Sequence, residues 1–184
     1  MVPLPEVKIK HEDHVNLLRG GIEQPAGVWA DLGSGSGAFT LALAELIGPG
    51  GQIYSVDRNA AALREQARAV CVRYPDVSLH LLEADFTRPL DLPALDGLVM
   101  ANALHFVPTH QQAAVTRQLK GYLKPEGRLI VVEYNVDRGN LWVPHPLSFQ
   151  RWQDTARQAG FAHTRLLSTA PSSFLKEFYS AMNW

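Results

Sequence analysis

Cysteine is nearly absent: Cys71 is the sole thiol among 184 residues. One thiol excludes an internal disulfide and a cysteine-based zinc cluster, so no metal site is expected. Cys71 falls in a helical stretch, where residue preference predicts a buried small apolar side chain. An excess of charge is also lacking. Lys and Arg total 17 and Asp and Glu total 18, for a formal net charge of −1. No global positive field exists to draw in a phosphate backbone. The basic residues do not cluster either. Lys8 and Lys10 lie near the start, and Lys120, Lys124 and Arg128 surround one turn. No nucleic-acid partner is expected. The longest apolar stretch, residues 39–47, is interrupted by Thr40 and Glu45 and is too short to span a bilayer. Residues 1–10 carry no apolar core of signal-peptide length. These absences predict a cytoplasmic protein with no membrane partner. There is no internal repeat or low-complexity tract.

Hydrophobic residues make up 46% of the chain, a globular composition. The length suits one domain with a respectable core and is too short for two. Residues 1–184 are expected to form that single domain, with a first helix over 11–22 and a core over 28–181. Apolar periodicity alternates short strands with helices. Strands are expected at 28–32, 52–56, 77–82, 97–101 and 127–133. Helices are expected at 38–47, from the Asn59 cap to about Val72, at 109–122 and at 147–159. Residues 161–168 and 173–181 form a terminal strand pair. Such alternation means a parallel sheet covered on both faces. Its ligands bind beyond the carboxyl ends of the strands.

Three features follow successive strands. Gly33, Gly35 and Gly37 come after the first and open a helix. Glycine permits a sharp turn and close ligand approach, and helix N–H groups attract polar ligand atoms. Asp57 ends the second strand, where a carboxylate can accept from ribose hydroxyls. Asp85 and Phe86 follow the third and suit a purine amine and ring face. Gly33 to Ala38 also satisfies the looser dinucleotide pattern. The loop alone therefore reads as a nucleotide-like cofactor site and leaves NAD and S-adenosylmethionine both open.

Five segments in order resemble the class I S-adenosylmethionine-dependent methyltransferases. Asp31-Leu-Gly33-Ser34-Gly35-Ser-Gly37 resembles their first motif. Residues 53–57 resemble the second and residues 84–86 the third. Residues 96–105 resemble the fourth strand with its following loop. Residues 123–133 resemble the turn and fifth strand. The resemblance covers about residues 11–181. It implies a three-layer α-β-α Rossmann-like methyltransferase fold, with a seven-stranded, mostly parallel sheet and an antiparallel last strand. It implies S-adenosyl-L-methionine as cofactor and S-adenosyl-L-homocysteine as product. By position, Asp31 would hold the methionine amino group, directly or through water. Gly33, Ser34, Gly35 and Gly37 would face methionine and ribose. Asp57 would bind the ribose hydroxyls, Asp85 and Phe86 would address the adenine, Asn102 and Ala103 would line the methionine side, and Arg58 is a further cofactor-binding candidate.

Candidates for catalysis are His105, after the fourth strand, and Glu133 and Tyr134, at the end of the fifth. An imidazole titrates near neutrality and suits proton transfer. Trp142 and His145 lie in a proline-rich loop that can close over an acceptor. The chain leaves no room for a large recognition module, so a small-molecule acceptor is expected, with an O, N or C nucleophile. One alternative is a non-catalytic partner protein that binds S-adenosylmethionine. The other is an NAD-type oxidoreductase of the short-chain kind. No tyrosine here begins the Tyr-x-x-x-Lys pair that such enzymes need; Tyr134 is followed by Arg138.

Overall fold

The computed structural model describes residues 10–184. Lys8 and the leader-free reading of the first ten residues fall almost wholly outside that range. The chain runs α1 (His11–Arg19), β1 (Val28–Leu32), α2 (Ala38–Ile47), β2 (Gln52–Asp57), α3 (Ala60–Arg73) and β3 (Ser78–Glu83). It continues through β4 (Leu95–Ala101), a 3-10 turn (Leu104–Phe106), α4 (Thr109–Lys120), β5 (Leu123–Tyr134), α5 (Phe149–Ala159), β6 (Thr164–Ser172) and β7 (Lys176–Asn183).

The seven strands form one sheet in the order β3-β2-β1-β4-β5-β7-β6. The first five run parallel, and β7 is antiparallel to both β5 and β6. The strand order reverses between β1 and β4, which opens a crevice at their carboxyl ends. One face of the sheet packs against α1, α2 and α3 through Leu18, Phe39, Leu43 and Val70. The other packs against α4 and α5 through Val115, Leu119, Trp152 and Ala156. The expected three-layer fold is therefore the observed one.

Local chemistry sets the ends of these elements. The Asn59 side chain accepts from the Ala61 and Ala62 amides at 3.0 and 3.2 Å and starts α3. Trp152 is fully buried on α5 and donates its indole N–H to Asn183 Oδ1 at 3.1 Å. Truncating such a side chain costs about 3–5 kcal/mol. The indole bond also anchors the terminal strand beneath the helix.

Several expectations change. Cys71 is exposed, because α3 turns only Leu63, Gln66 and Val70 inward, and position 71 falls off that stripe. The first helix stops at Arg19, ahead of the Gly20–Gly21 pair. β5 begins at Leu123 rather than 127, since Leu95 pairs with Leu123 before the register shifts. No helix among the described residues joins β3 to β4. Residues 84–94 cross as coil, with Phe86, Leu90 and Leu92 packed on the core.

Candidate active site

The loop between β1 and α2 turns on three glycines with positive φ. At Gly33 (φ +73°) a Cβ would stand 2.6 Å from the Ala103 Cβ, so any side chain would push the loop off the turn after β4. At Gly35 (φ +53°) a Cβ would meet nothing within 4 Å, so the backbone there is open to approach.

Asp57 ties this loop to β2. Its Oδ2 accepts from the Gly35 amide at 2.8 Å, and its Oδ1 accepts from the Asn59 amide at 2.8 Å. Ser34 Oγ accepts from Ser55 Oγ at 2.7 Å and from Gln66 Nε2 at 2.9 Å. Gln66 Nε2 also donates to the Gly35 carbonyl at 3.1 Å. Gln66 and Ser55 are fully buried supports that the sequence reading missed. The available signal was a lone glutamine on the apolar stripe of α3.

Asp31 is buried to 1% exposure on β1 and accepts from Thr40 Oγ1 at 2.6 Å. Burial pushes its carboxyl up to about 7; the Thr40 bond opposes the rise and the nearby Asp57 charge adds to it. Asp85 behaves oppositely. Its Oδ1 accepts from the Thr87 amide and hydroxyl at 2.9 and 2.7 Å, and its Oδ2 lies 3.8 Å from Arg58. The Thr87 hydroxyl bond, seconded by the Thr87 amide, Arg58 and Arg88, outweighs burial and holds this carboxyl below the ordinary range.

These groups border a cleft of about 360 Å³, lined by Gly33, Asp57, Arg58, Asp85, Phe86 and Asn102 among others. Ala103 and Phe106 complete the wall nearest β4. Asp31 is sealed beneath the loop and does not line it. Asn102 holds a left-handed backbone (φ +53°), and its buried Oδ1 has no partner among the described residues. A buried unpaired acceptor is costly, and here it belongs to a cleft residue. A second cleft, of about 580 Å³, lies at the amino ends of β1, β4 and β5. Its charged residues Asp96 and Lys124 already pair at 2.8 Å, as do Arg128 and Glu23 at 3.0 Å. The smaller cleft is therefore the candidate site.

His105 and Glu133, 28 residues apart, meet behind it. His105 Nδ1 lies 2.6 Å from Glu133 Oε2, and both side chains are buried. Glu133 Oε1 accepts from the Leu104 and His105 amides at 3.0 and 3.2 Å. The carboxylate thus clamps the turn after β4 to the end of β5. The Tyr134 ring sits 6.2 Å from the His105 ring and 4.3 Å from Phe178. Burial, with a further contribution from Glu133, raises the Tyr134 phenol above its ordinary value. None of these three residues lines the cleft, although Phe106, beside His105, does. His145 donates its backbone N–H to the His105 carbonyl at 3.1 Å, and Trp142 projects into solvent.

The sequence model of a family described as "Methyltransferase domain" matches residues 30–127, more than half of the chain. The chain belongs to the class I S-adenosylmethionine-dependent methyltransferases. It is 32% identical over 104 residues to the carboxy-S-adenosyl-L-methionine synthase of Shewanella frigidimarina, covering 56% of this chain and 42% of that protein. It is 30% identical over 112 residues to the ubiquinone/menaquinone biosynthesis C-methyltransferase UbiE of Pseudomonas aeruginosa, covering 60% and 43%. The chain therefore spans less than half the length of these two relatives. The magnesium protoporphyrin IX methyltransferase of Synechocystis PCC 6803, solved with bound SAM, superposes with a TM-score of 0.68 at 18% identity, covering 95% of this chain and 78% of that one. The 1,6-didemethyltoxoflavin-N1-methyltransferase of Burkholderia thailandensis gives 0.73 at 15%, covering 94% and 76%. These two likenesses concern the fold alone. No helix among its described residues is long and apolar enough to cross a membrane.

Proposed function

We propose that this methyltransferase binds S-adenosylmethionine in the cleft at the β1/β4 switch point and methylates a small molecule there. One observation carries the reading. The loops after β1, β2, β3 and β4 converge on one cleft lined by Gly33, Asp57, Asp85 and Asn102, and the Asn102 Oδ1 is buried and unpaired. Such a set fits a ligand with an ammonium, a diol and a purine amine, each a donor to a different acceptor.

In this reading Asp57 takes the ribose hydroxyls, with Arg58 flanking. Asp85 takes the adenine amine through Oδ2, since Thr87 occupies Oδ1. Phe86 packs against the ring. Gly33, Ser34, Gly35 and Gly37 shape the methionine channel, and Asn102 and Ala103 form its far wall. Asp31, sealed beneath the loop, answers the ammonium through a bridging water rather than by direct contact. The cofactor, when bound, supplies an activated methyl sulfonium. The protein aligns the acceptor, and alignment alone removes about 7–11 kcal/mol of barrier in favourable cases.

His105 is the candidate base, and because its ring is buried and does not line the cleft, the turn after β4 must move to uncover Nε2 before it takes a proton. The Nδ1 contact to Glu133 makes Nε2 the proton-accepting nitrogen, so Glu133 acts by holding the tautomer. Tyr134 borders the same turn as a positioning group. Residues 1–184 acting as one domain and a cytoplasmic location belong to the same proposal; fractionation checks the second. The deciding experiment is thermal unfolding with ligands. S-adenosylhomocysteine is expected to stabilise the protein, while NAD(H) leaves it unchanged. Stabilisation by NAD(H) alone would sink the reading.

A further inference from the structure

The cofactor loop sits at the carboxyl end of the sheet. The larger cleft, of about 580 Å³, lies at the opposite end, where β1, β4 and β5 begin. That volume is ordinary for a small-molecule site. Strand register builds one wall of it. Trp29 pairs with Gly97, and Gly97 pairs with Arg128, so the three form one row across β1, β4 and β5. Residues paired in this way direct their side chains to the same face of the sheet.

The middle of that row has to be glycine. A Cβ on Gly97 would stand 2.1 Å from Trp29 Cζ3, so the indole lies over the bare backbone of β4. Gly27 serves another edge of the ring. A Cβ there would come within 3.4 Å of Trp29 Nε1 and 3.1 Å of Asp96 Oδ2. Glycine thus leaves the N–H edge of the indole uncovered on the cleft side.

Two donor groups in this cleft are unused. Trp29 is 5% exposed, and its indole N–H has no hydrogen-bond partner among the described residues, in contrast to that of Trp152. The Arg128 side chain is 28% exposed. Its NH1 stands 3.0 Å from Glu23 Oε1, but the two are out of line for a hydrogen bond. The guanidinium donates to no other acceptor among the described residues. Buried donors normally find acceptors, and a mostly buried cation without hydrogen bonds is costly. Trp29 and Arg128 both line the cleft, so an acceptor held there can serve both.

The lining also selects the charge of that acceptor. Three acids, Glu23, Asp96 and Glu126, face two bases, Lys124 and Arg128, which leaves one negative charge in excess. A dianion is repelled by that excess, and a neutral carbonyl answers a guanidinium more weakly than a carboxylate does. Asp96 is already engaged, with Lys124 at 2.8 Å and with the Val28 amide at 2.7 Å. Glu23 is not fixed in this way; its side chain is 56% exposed on the loop before β1.

We infer that this cleft is a second ligand site, separate from the cofactor cleft, and that it takes a small monocarboxylate. The ligand's oxygens accept from the Arg128 guanidinium and from the Trp29 indole N–H. The Glu23 carboxylate competes for the same cation, and the ligand displaces it.

The test follows the indole N–H groups by 1H–15N NMR, which gives one peak for each of the four tryptophans. The peaks are assigned through bonds, without variants. Butanoate is the probe, butanamide its neutral counterpart and inorganic phosphate the dianion, each titrated to about 50 mM at constant ionic strength. Butanoate is expected to move the Trp29 peak saturably and to leave the other three in place. Butanamide is expected to leave all four unmoved, and phosphate to bind more weakly than butanoate. Arg128→Gln should weaken butanoate about tenfold or more. Glu23→Gln should tighten it about threefold or more, because the competing carboxylate is gone. Glu23 is exposed, so that variant keeps the core and tests the inference even where Arg128→Gln does not fold. A Trp29 peak unmoved by butanoate overturns the inference, as does an equal movement with butanamide. Tighter binding of phosphate, or weaker butanoate binding in Glu23→Gln, overturns it too.

Discussion

Asp31 makes the sharpest quantitative prediction. Its carboxyl titrates near 3.8 when unperturbed and is pushed up to about 7 in the fold, with burial as the main cause. The folded state therefore binds this proton more tightly than the unfolded chain. Stability from this group is fullest below the unfolded value and is lost as pH rises, until the folded carboxyl ionises near 7. The whole loss is about 4 kcal/mol, and about 2 kcal/mol of it falls between roughly pH 5.5 and 8.5. Asp31→Asn removes the titration and keeps an acceptor for Thr40 Oγ1, which now donates at 2.6 Å. The variant should gain on wild type by about 2 kcal/mol over that pH span in urea unfolding without ligand. Its affinity for S-adenosylhomocysteine at about pH 8 should fall at least tenfold, because the buried anion that answers the ammonium is gone. Denaturation curves that keep a constant separation, within about 0.5 kcal/mol across that range, would refute the reasoning.

Three further outcomes follow from the same geometry. Asp57→Ala should weaken S-adenosylhomocysteine binding about tenfold or more, roughly 1.4 kcal/mol, by calorimetry, while far-UV circular dichroism stays unchanged. Gln66→Leu leaves Ser34 Oγ only its Ser55 bond and strips the Gly35 carbonyl of its side-chain donor, which should lower unfolding free energy by about 1–3 kcal/mol and cofactor affinity with it. Glu133→Gln offers an amide N–H where His105 Nδ1 now donates, which favours the other tautomer; kcat should drop about a hundredfold or more, with little change in cofactor binding. A normal kcat in that variant would leave Glu133 only as the clamp on the Leu104 and His105 amides.

The strands and helices were legible because their signals are local. Leu129 to Val132 are fully buried and read as a continuous apolar run. The Asn59 cap lies within three residues of the amides it satisfies. The spacing of Asp31, the glycines, Asp57 and Asp85 was equally plain, since each follows a strand. Other features needed the folded chain. Cys71 faces solvent because the apolar stripe of α3 passes one position away. Gln66 reaches the loop 31 residues earlier only because α3 packs across it.

The sequence by itself determined the layered α/β architecture, the family and the end of the sheet where the cofactor loop lies. Apolar period, turn chemistry and motif order are all written within short stretches of chain. The tertiary structure decided which groups are used. It buried Asp31 and thereby raised its carboxyl, joined His105 to Glu133 across β4 and β5, and left Asn102 Oδ1 buried and unpaired in a residue of the cleft wall. The reason is physical: desolvation and pairing depend on what packs nearby in space, and strand order brings together residues that the chain keeps far apart.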